Sequence, residues 1–123
     1  MQSGPDRHLR NKRRYLRAAA ELPVACRDLS ADKTFVATLR DLSASGASIS
    51  APYRPTRSTP LYLAVGHDSL GLVFTTAAHV VRTERTREGD FLWGVKFAPL
   101  PIETTAQIGR FVVARQAQTA SAA

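Results

Sequence analysis

The sequence predicts an all-β chain, a small antiparallel barrel followed by one C-terminal helix. Three observations carry this reading. Six or so extended segments recur at spacings of roughly 10 to 15 residues, with turn residues between them. No strand pattern alternates with a helical one, so a parallel dinucleotide-binding sheet is not expected. Only after Pro99 and Pro101 does the apolar period change to that of a helix. Many short strands with short connections favour closure of the sheet on itself.

Taken in order, residues 1–9 carry Gly4, Pro5 and polar groups without periodicity and are read as a flexible N-terminal arm. A domain over residues 10–115 follows. Ala18 to Glu21 is a turn or lead-in, and Leu22 to Leu29 is a first strand with Leu22, Val24 and Cys26 on one side. Asp28 to Lys33 turns the chain. Thr34 to Arg40 alternates Phe35, Ala37 and Leu39 against Thr34, Val36, Thr38 and Arg40, a strand signature. Asp41-Leu42-Ser43-Ala44-Ser45-Gly46 interrupts it, and Ala47 to Ser50 resumes an extended segment.

Pro52 to Pro60 holds three prolines and two arginines and reads as a loop. Leu61 to Val65 is a strand closed by Gly66-His67-Asp68. Leu70 to Arg82 is one bent strand or two. Arg87-Glu88-Gly89-Asp90 is a hairpin turn in which Gly89 takes positive φ. Phe91, Trp93, Val95 and Phe97 then share one face of the clearest period of two in the chain, the core face of a half-buried strand. Ile102, Ala106, Ile108, Phe111, Val112 and Arg115 suit a helix with one apolar side, capped by Thr104 or Thr105. Residues 116–123, small and polar, are read as a disordered tail.

A length of 123 residues fits one domain able to bury a core without staples. Charge is the unusual quantity. The net charge is +7 and the pI is near 10.5, values that ask for an anionic partner. Cys26 stands alone, which leaves no disulfide within the chain and no thiolate zinc site. His8, His67 and His79 are scattered, without a second ligand at metal spacing. No glycine-rich loop opens a helix, and no nucleophile pairs with a base by any motif. A non-enzymatic role with no metal and no cofactor is therefore expected.

Arg13-Arg14 has only Ala18-Ala19-Ala20 after it before Glu21, too short an apolar run for an export signal. Leu22 to Cys26 resembles a lipoprotein site only faintly, because Pro23 breaks it. No segment has the length of a membrane span, so no membrane insertion and a cytoplasmic location are expected.

Two clusters remain. Lys12-Arg13-Arg14-Tyr15-Leu16-Arg17 places three guanidinium groups within five residues. Each is permanently charged and offers a donor fork that fits phosphate oxygens or the O6/N7 edge of guanine. Asp41-x-Ser43-x-x-Gly46 lies between two strands. In one reading it is only a turn, in which Asp and Ser accept from backbone N–H groups and Gly supplies positive φ. In the other, its carboxylate accepts from guanine N1–H and N2–H₂, and the glycine admits close approach of a ligand. The two clusters are chemically complementary: the arginines take phosphate and the Hoogsteen edge, and the Asp41 loop takes the donor edge.

Arg13-x-x-x-Arg17 with Arg14 between, followed 24 residues later by Asp41-x-Ser43-x-x-Gly46, resembles the paired motif of PilZ domains. Trp93-Gly94-Val95-Lys96-Phe97 resembles that family's last core strand, and the terminal helix is similar as well. The likeness covers about residues 10 to 115. It departs at Ser45, where many members carry a second glycine. The resemblance implies a six-stranded antiparallel β-barrel that binds the bacterial second messenger cyclic di-GMP. Arg13, Arg14 and Arg17 would contact phosphates and guanine, and Asp41, Ser43 and Gly46 the other side of a base. It also implies an N-terminal arm that closes over the ligand and a downstream effector protein as partner.

Two rivals make different predictions. A nucleic-acid-binding barrel would stack bases on Trp93 and Tyr62 and show steep salt dependence, with no use for Asp41; nucleic acid is not the expected partner. A PilZ-like adaptor acting through protein contacts alone would bind no nucleotide.

Overall fold

The computed structural model describes residues 18–54, 56, 58–67 and 71–122. Six antiparallel strands close into a barrel, and a single helix follows. The strands are β1 (Ala18–Asp28), β2 (Lys33–Leu42), β3 (Gly46–Ala51), β4 (Pro60–His67), β5 (Leu72–Arg85) and β6 (Phe91–Phe97). Around the barrel they stand in the order β1-β2-β3-β6-β5-β4, with β4 pairing back onto β1. Closure leaves no long unpaired sheet edge.

Burial follows the alternation of residue types. Along β1, Ala18, Ala20, Leu22, Val24 and Cys26 point inward and the residues between them outward. The first strand thus begins four residues earlier than expected, so Ala18 to Glu21 is strand and not lead-in. Pro23 is accommodated within it. β1 pairs with β4 only from Val24 onward, so the N–H that proline lacks is not needed on that side. The apolar run before Arg82 is one strand, Leu72–Arg85, with an irregularity between Val80 and Arg82. Pro60 opens β4 instead of ending the loop.

The core is dense in aliphatic residues and centred on Trp93, which is fully buried. Its indole Nε1 donates to the Tyr53 carbonyl at 2.9 Å. Phe35 meets it edge-on at 5.4 Å between centroids, and Tyr53 does so at 6.0 Å. Tyr53 in turn donates its hydroxyl to Asp28 Oδ2 at 2.8 Å, while Oδ1 accepts from the Ser30 and Ala31 amides. Burial pushes the Asp28 carboxyl up, but these hydrogen bonds and the nearby Lys33 outweigh it and hold the group below the usual carboxylate range. Cys26 is buried, and burial pushes its thiol up to about 12. It therefore packs as a small hydrophobe and is not a reactive thiolate.

The helix, α1 (Ile102–Ala122), packs against β1 and β5. Its buried side is Ile108, Phe111 and Val112, an i, i+3, i+4 set. Ile102, expected on that side, is 80% exposed. Thr105 donates its amide to the Pro101 carbonyl at 3.0 Å, so the threonines lie inside the first turn and neither caps it. Gln107 Oε1 accepts the Val73 amide at 2.7 Å and ties the helix to β5. The apolar pattern stops at Arg115, but the helix continues to Ala122, through residues expected to form a disordered tail. Gln116 to Ala122 contains alanines and no glycine or proline to end it.

Candidate functional site

The Asp41–Gly46 segment forms the hairpin between β2 and β3. Ser43 donates its amide to the Gly46 carbonyl at 2.9 Å, and the Ser43 hydroxyl sits within the turn. Oγ accepts the Ser45 amide at 3.3 Å, lies 3.1 Å from Ser45 Oγ, and reaches the Gly46 carbonyl at 3.3 Å. Ser43 is 1% exposed, so its hydroxyl shapes the loop from inside. The Ser45 carbonyl accepts the Phe97 amide at 2.9 Å, which docks the hairpin tip on the end of β6.

Gly46 is required for a reason the sequence reading did not give. Its φ is not positive; among the described glycines only Gly66, Gly71 and Gly89 have positive φ. Instead it stands opposite Lys96 in the β3–β6 ladder, and a Cβ there would come 2.2 Å from the Val95 carbonyl oxygen. The close approach at Gly46 is that of another strand's backbone. Gly46→Ala is accordingly expected to cost about 1–3 kcal/mol as β3 is pushed off β6. Thermal unfolding followed by circular dichroism checks this, and an unchanged midpoint would contradict it.

Asp41 reaches the outer face through a bulge. Leu39 is fully buried, and a strict period of two would send residue 41 inward with it. The register shifts between Leu39 and Asp41, so Leu42 takes the core position and Asp41 turns outward, half-buried. There it pairs with Ala19 of β1 and Ser48 of β3. Ala18 pairs with Leu42, so the start of β1 lies directly beside the hairpin. Arg40, at the bulge, is already engaged: Nε donates to Ser50 Oγ at 2.9 Å and the guanidinium pairs with Glu21.

Of the sequence-predicted site residues, the structure brings Asp41, Ser43 and Gly46 into one hairpin; Arg13, Arg14 and Arg17 lie outside the described residues. Two residues that sequence reasoning missed share the ladder of Asp41: Ser48, which is 3% exposed, and Gly94. A glycine inside an otherwise bulky strand was the available signal for Gly94. Beside the hairpin tip lies a cleft of about 860 Å³ bordered by Ser45, His79, Lys96, Phe97 and Thr105. Among the described residues no group of His, Cys, Asp and Glu converges to hold a metal. No helix among them is long and apolar enough to cross a membrane.

The described residues form a closed six-stranded antiparallel barrel with a polar β2–β3 hairpin and a terminal helix. The chain belongs to the PilZ domain family, whose model matches residues 11–114. Its fold is similar to that of MotI/DgrA, an inhibitor of motility from Bacillus subtilis, with TM-score 0.74 and 15% identity over 86% of this chain and 52% of that one. It is also similar to the PilZ domain of YcgR from Escherichia coli, solved with c-di-GMP, with TM-score 0.67 and 18% identity over 88% and 94%. The MrkH–c-di-GMP complex of K. pneumonia gives TM-score 0.66 and 11% identity over 82% and 50%. The chain thus spans about half the length of MotI/DgrA and MrkH. No curated protein matches it by sequence.

Proposed function

We propose that this chain is a receptor for cyclic di-GMP, held between the Arg13-x-x-x-Arg17 arm and the Asp41 hairpin, with closure of the arm as its switch. The observation that carries this is the β1–β2 register. Arg17 directly precedes Ala18 in the chain, and Ala18 and Ala19 pair with Leu42 and Asp41. The start of β1, which follows Arg17 directly in sequence, therefore lies beside the carboxylate acceptor. YcgR and MrkH, solved with c-di-GMP, share the fold and support the same reading.

The roles follow from donor and acceptor chemistry. The Asp41 carboxylate accepts from N1–H and N2–H₂ of guanine, two donors side by side. Adenine has an acceptor at N1 and cannot make that pair. Arg13, Arg14 and Arg17 take phosphate oxygens and the O6/N7 edge. Ser43 and Gly46 hold the hairpin that presents Asp41. The role is one of binding, in the cytoplasm, without a catalytic residue, metal or cofactor, and the signal passes from the arm to a downstream protein.

Hydrogen bonds to charged groups contribute roughly 1.5–3 kcal/mol each. Three arginines and a carboxylate, less the cost of ordering the arm, reach the roughly −8 kcal/mol of micromolar binding. Titration of cyclic di-GMP and cyclic di-AMP into wild type and Asp41→Ala tests the base-reading role. Wild type should prefer the guanine ligand, and Asp41→Ala should bind it about 10- to 100-fold more weakly. Equal affinity of wild type for both dinucleotides would refute that role.

A further inference from the structure

The ladder of Asp41 carries a further charged residue, Arg82, on the outer wall of the barrel. Val80 is fully buried, and a strict period of two would turn residue 82 into the core beside it. The β5–β6 register shifts between Val80 and Arg82, and Arg82 faces outward opposite Gly94. Gly94 pairs with Ser48, and Ser48 pairs with Asp41. Two separate bulges, one in β2 and one in β5, thus bring an acid and a base onto one continuous ladder. Bulges re-aim side chains in this way.

The ladder between them carries little side-chain bulk, and its two middle residues are buried. Its two middle positions, Ser48 and Gly94, have the smallest side chains available to a polar floor. The Arg82 side chain lies across Gly94, since a Cβ there would come 2.5 Å from Nη1, 2.8 Å from Cζ and 2.9 Å from Cγ. Glycine at 94 therefore lets the guanidinium lie flat over β6, toward β3. Asp41 and Arg82 stand three strand spacings apart, about 14 Å between Cα atoms, a span suited to a nucleotide lying on the floor. Arg40 is engaged by Ser50 and Glu21, whereas Arg82 has no hydrogen bond or ion pair among the described residues.

We propose that Arg82 is a ligand-contacting residue of the barrel wall, taking an acceptor oxygen or nitrogen of the cyclic dinucleotide whose donor edge Asp41 holds. This rests on the cyclic di-GMP reading and adds to it a cation that belongs to the rigid barrel. Phosphate oxygens and the guanine O6/N7 edge offer the same acceptor chemistry to a guanidinium.

The test is calorimetric titration of cyclic di-GMP into wild type, Arg82→Ala, Arg82→Lys, Gly94→Val and Arg27→Ala. Arg27 lies eight residues along β1 from Ala19, about 26 Å away, and its loss lowers the net charge equally. The expected result is a 10- to 100-fold weaker Kd for Arg82→Ala, partial recovery in Arg82→Lys, a similar loss in Gly94→Val, and no change in Arg27→Ala. Titrating a 7-deazaguanine analogue into both wild type and Arg82→Ala separates the sources: a loss in wild type that Arg82→Ala does not share assigns Arg82 to N7, and an equal effect in both assigns it to O6 or a phosphate oxygen. Wild-type affinity in Arg82→Ala, or an equal loss in Arg27→Ala, overturns the role of Arg82 and leaves the receptor reading standing. Failure of wild type itself to bind overturns both. Arg82 is exposed and unpaired among the described residues, so Arg82→Ala should melt as wild type does.

Discussion

Replacing Arg13 and Arg17 together by alanine should weaken cyclic di-GMP binding at least ~100-fold and leave the barrel's melting temperature unchanged. The size follows from the chemistry lost. Each guanidinium contributes charge-assisted hydrogen bonds of roughly 1.5–3 kcal/mol, and about 1.4 kcal/mol is a factor of ten in Kd. Neutral stability is expected because both residues precede Ala18, where the first barrel strand begins. Calorimetric titration paired with a thermal melt checks both halves. Wild-type affinity in the double variant would remove the arm from the site.

Trp93→Ala is expected to have the largest effect on stability, about 3–5 kcal/mol, because it empties the centre of the core. Trp93 is fully buried, is met edge-on by Phe35 and Tyr53, and donates to the Tyr53 carbonyl. Truncation removes the apolar burial and the ring contacts and leaves that carbonyl without its partner. For a barrel of this size the midpoint should fall on the order of 15 °C. Trp93→Phe keeps a ring in the site and should recover much of the loss. A Trp93→Ala protein that melts like wild type would mean that the tryptophan serves the ligand and not the core.

Strands with a clean period of two were legible. Phe91–Phe97 matches its expected bounds, because Phe91, Trp93, Val95 and Phe97 recur at every second position. The start of β1 was not legible, since Ala18 to Ala20 has no contrast between its two faces. The turn glycines divide in the same way. Gly89 takes positive φ as its turn demands, while Gly46 answers to a neighbouring strand, a contact that no local pattern records.

The candidate site shows the same division. Residue types at Asp41, Ser43 and Gly46 marked the hairpin, but their division of labour depends on register. Bulges in β2 and β5 break the alternation that sequence reading relies on, and those two places carry Asp41 and Arg82 outward. A period-two reading assigns both to the core face. Their common ladder exists only because β3 and β6, distant in sequence, are neighbours in the barrel.

The most direct test of the central claim is calorimetric titration of cyclic di-GMP into the purified chain, with GMP and a short single-stranded oligonucleotide as controls. The account predicts saturable binding of the cyclic dinucleotide alone, at micromolar Kd or tighter, and the same trace gives the number of ligands per chain. Absence of heat from cyclic di-GMP, with the barrel shown intact by circular dichroism, would contradict it and leave a PilZ barrel that works through protein contacts.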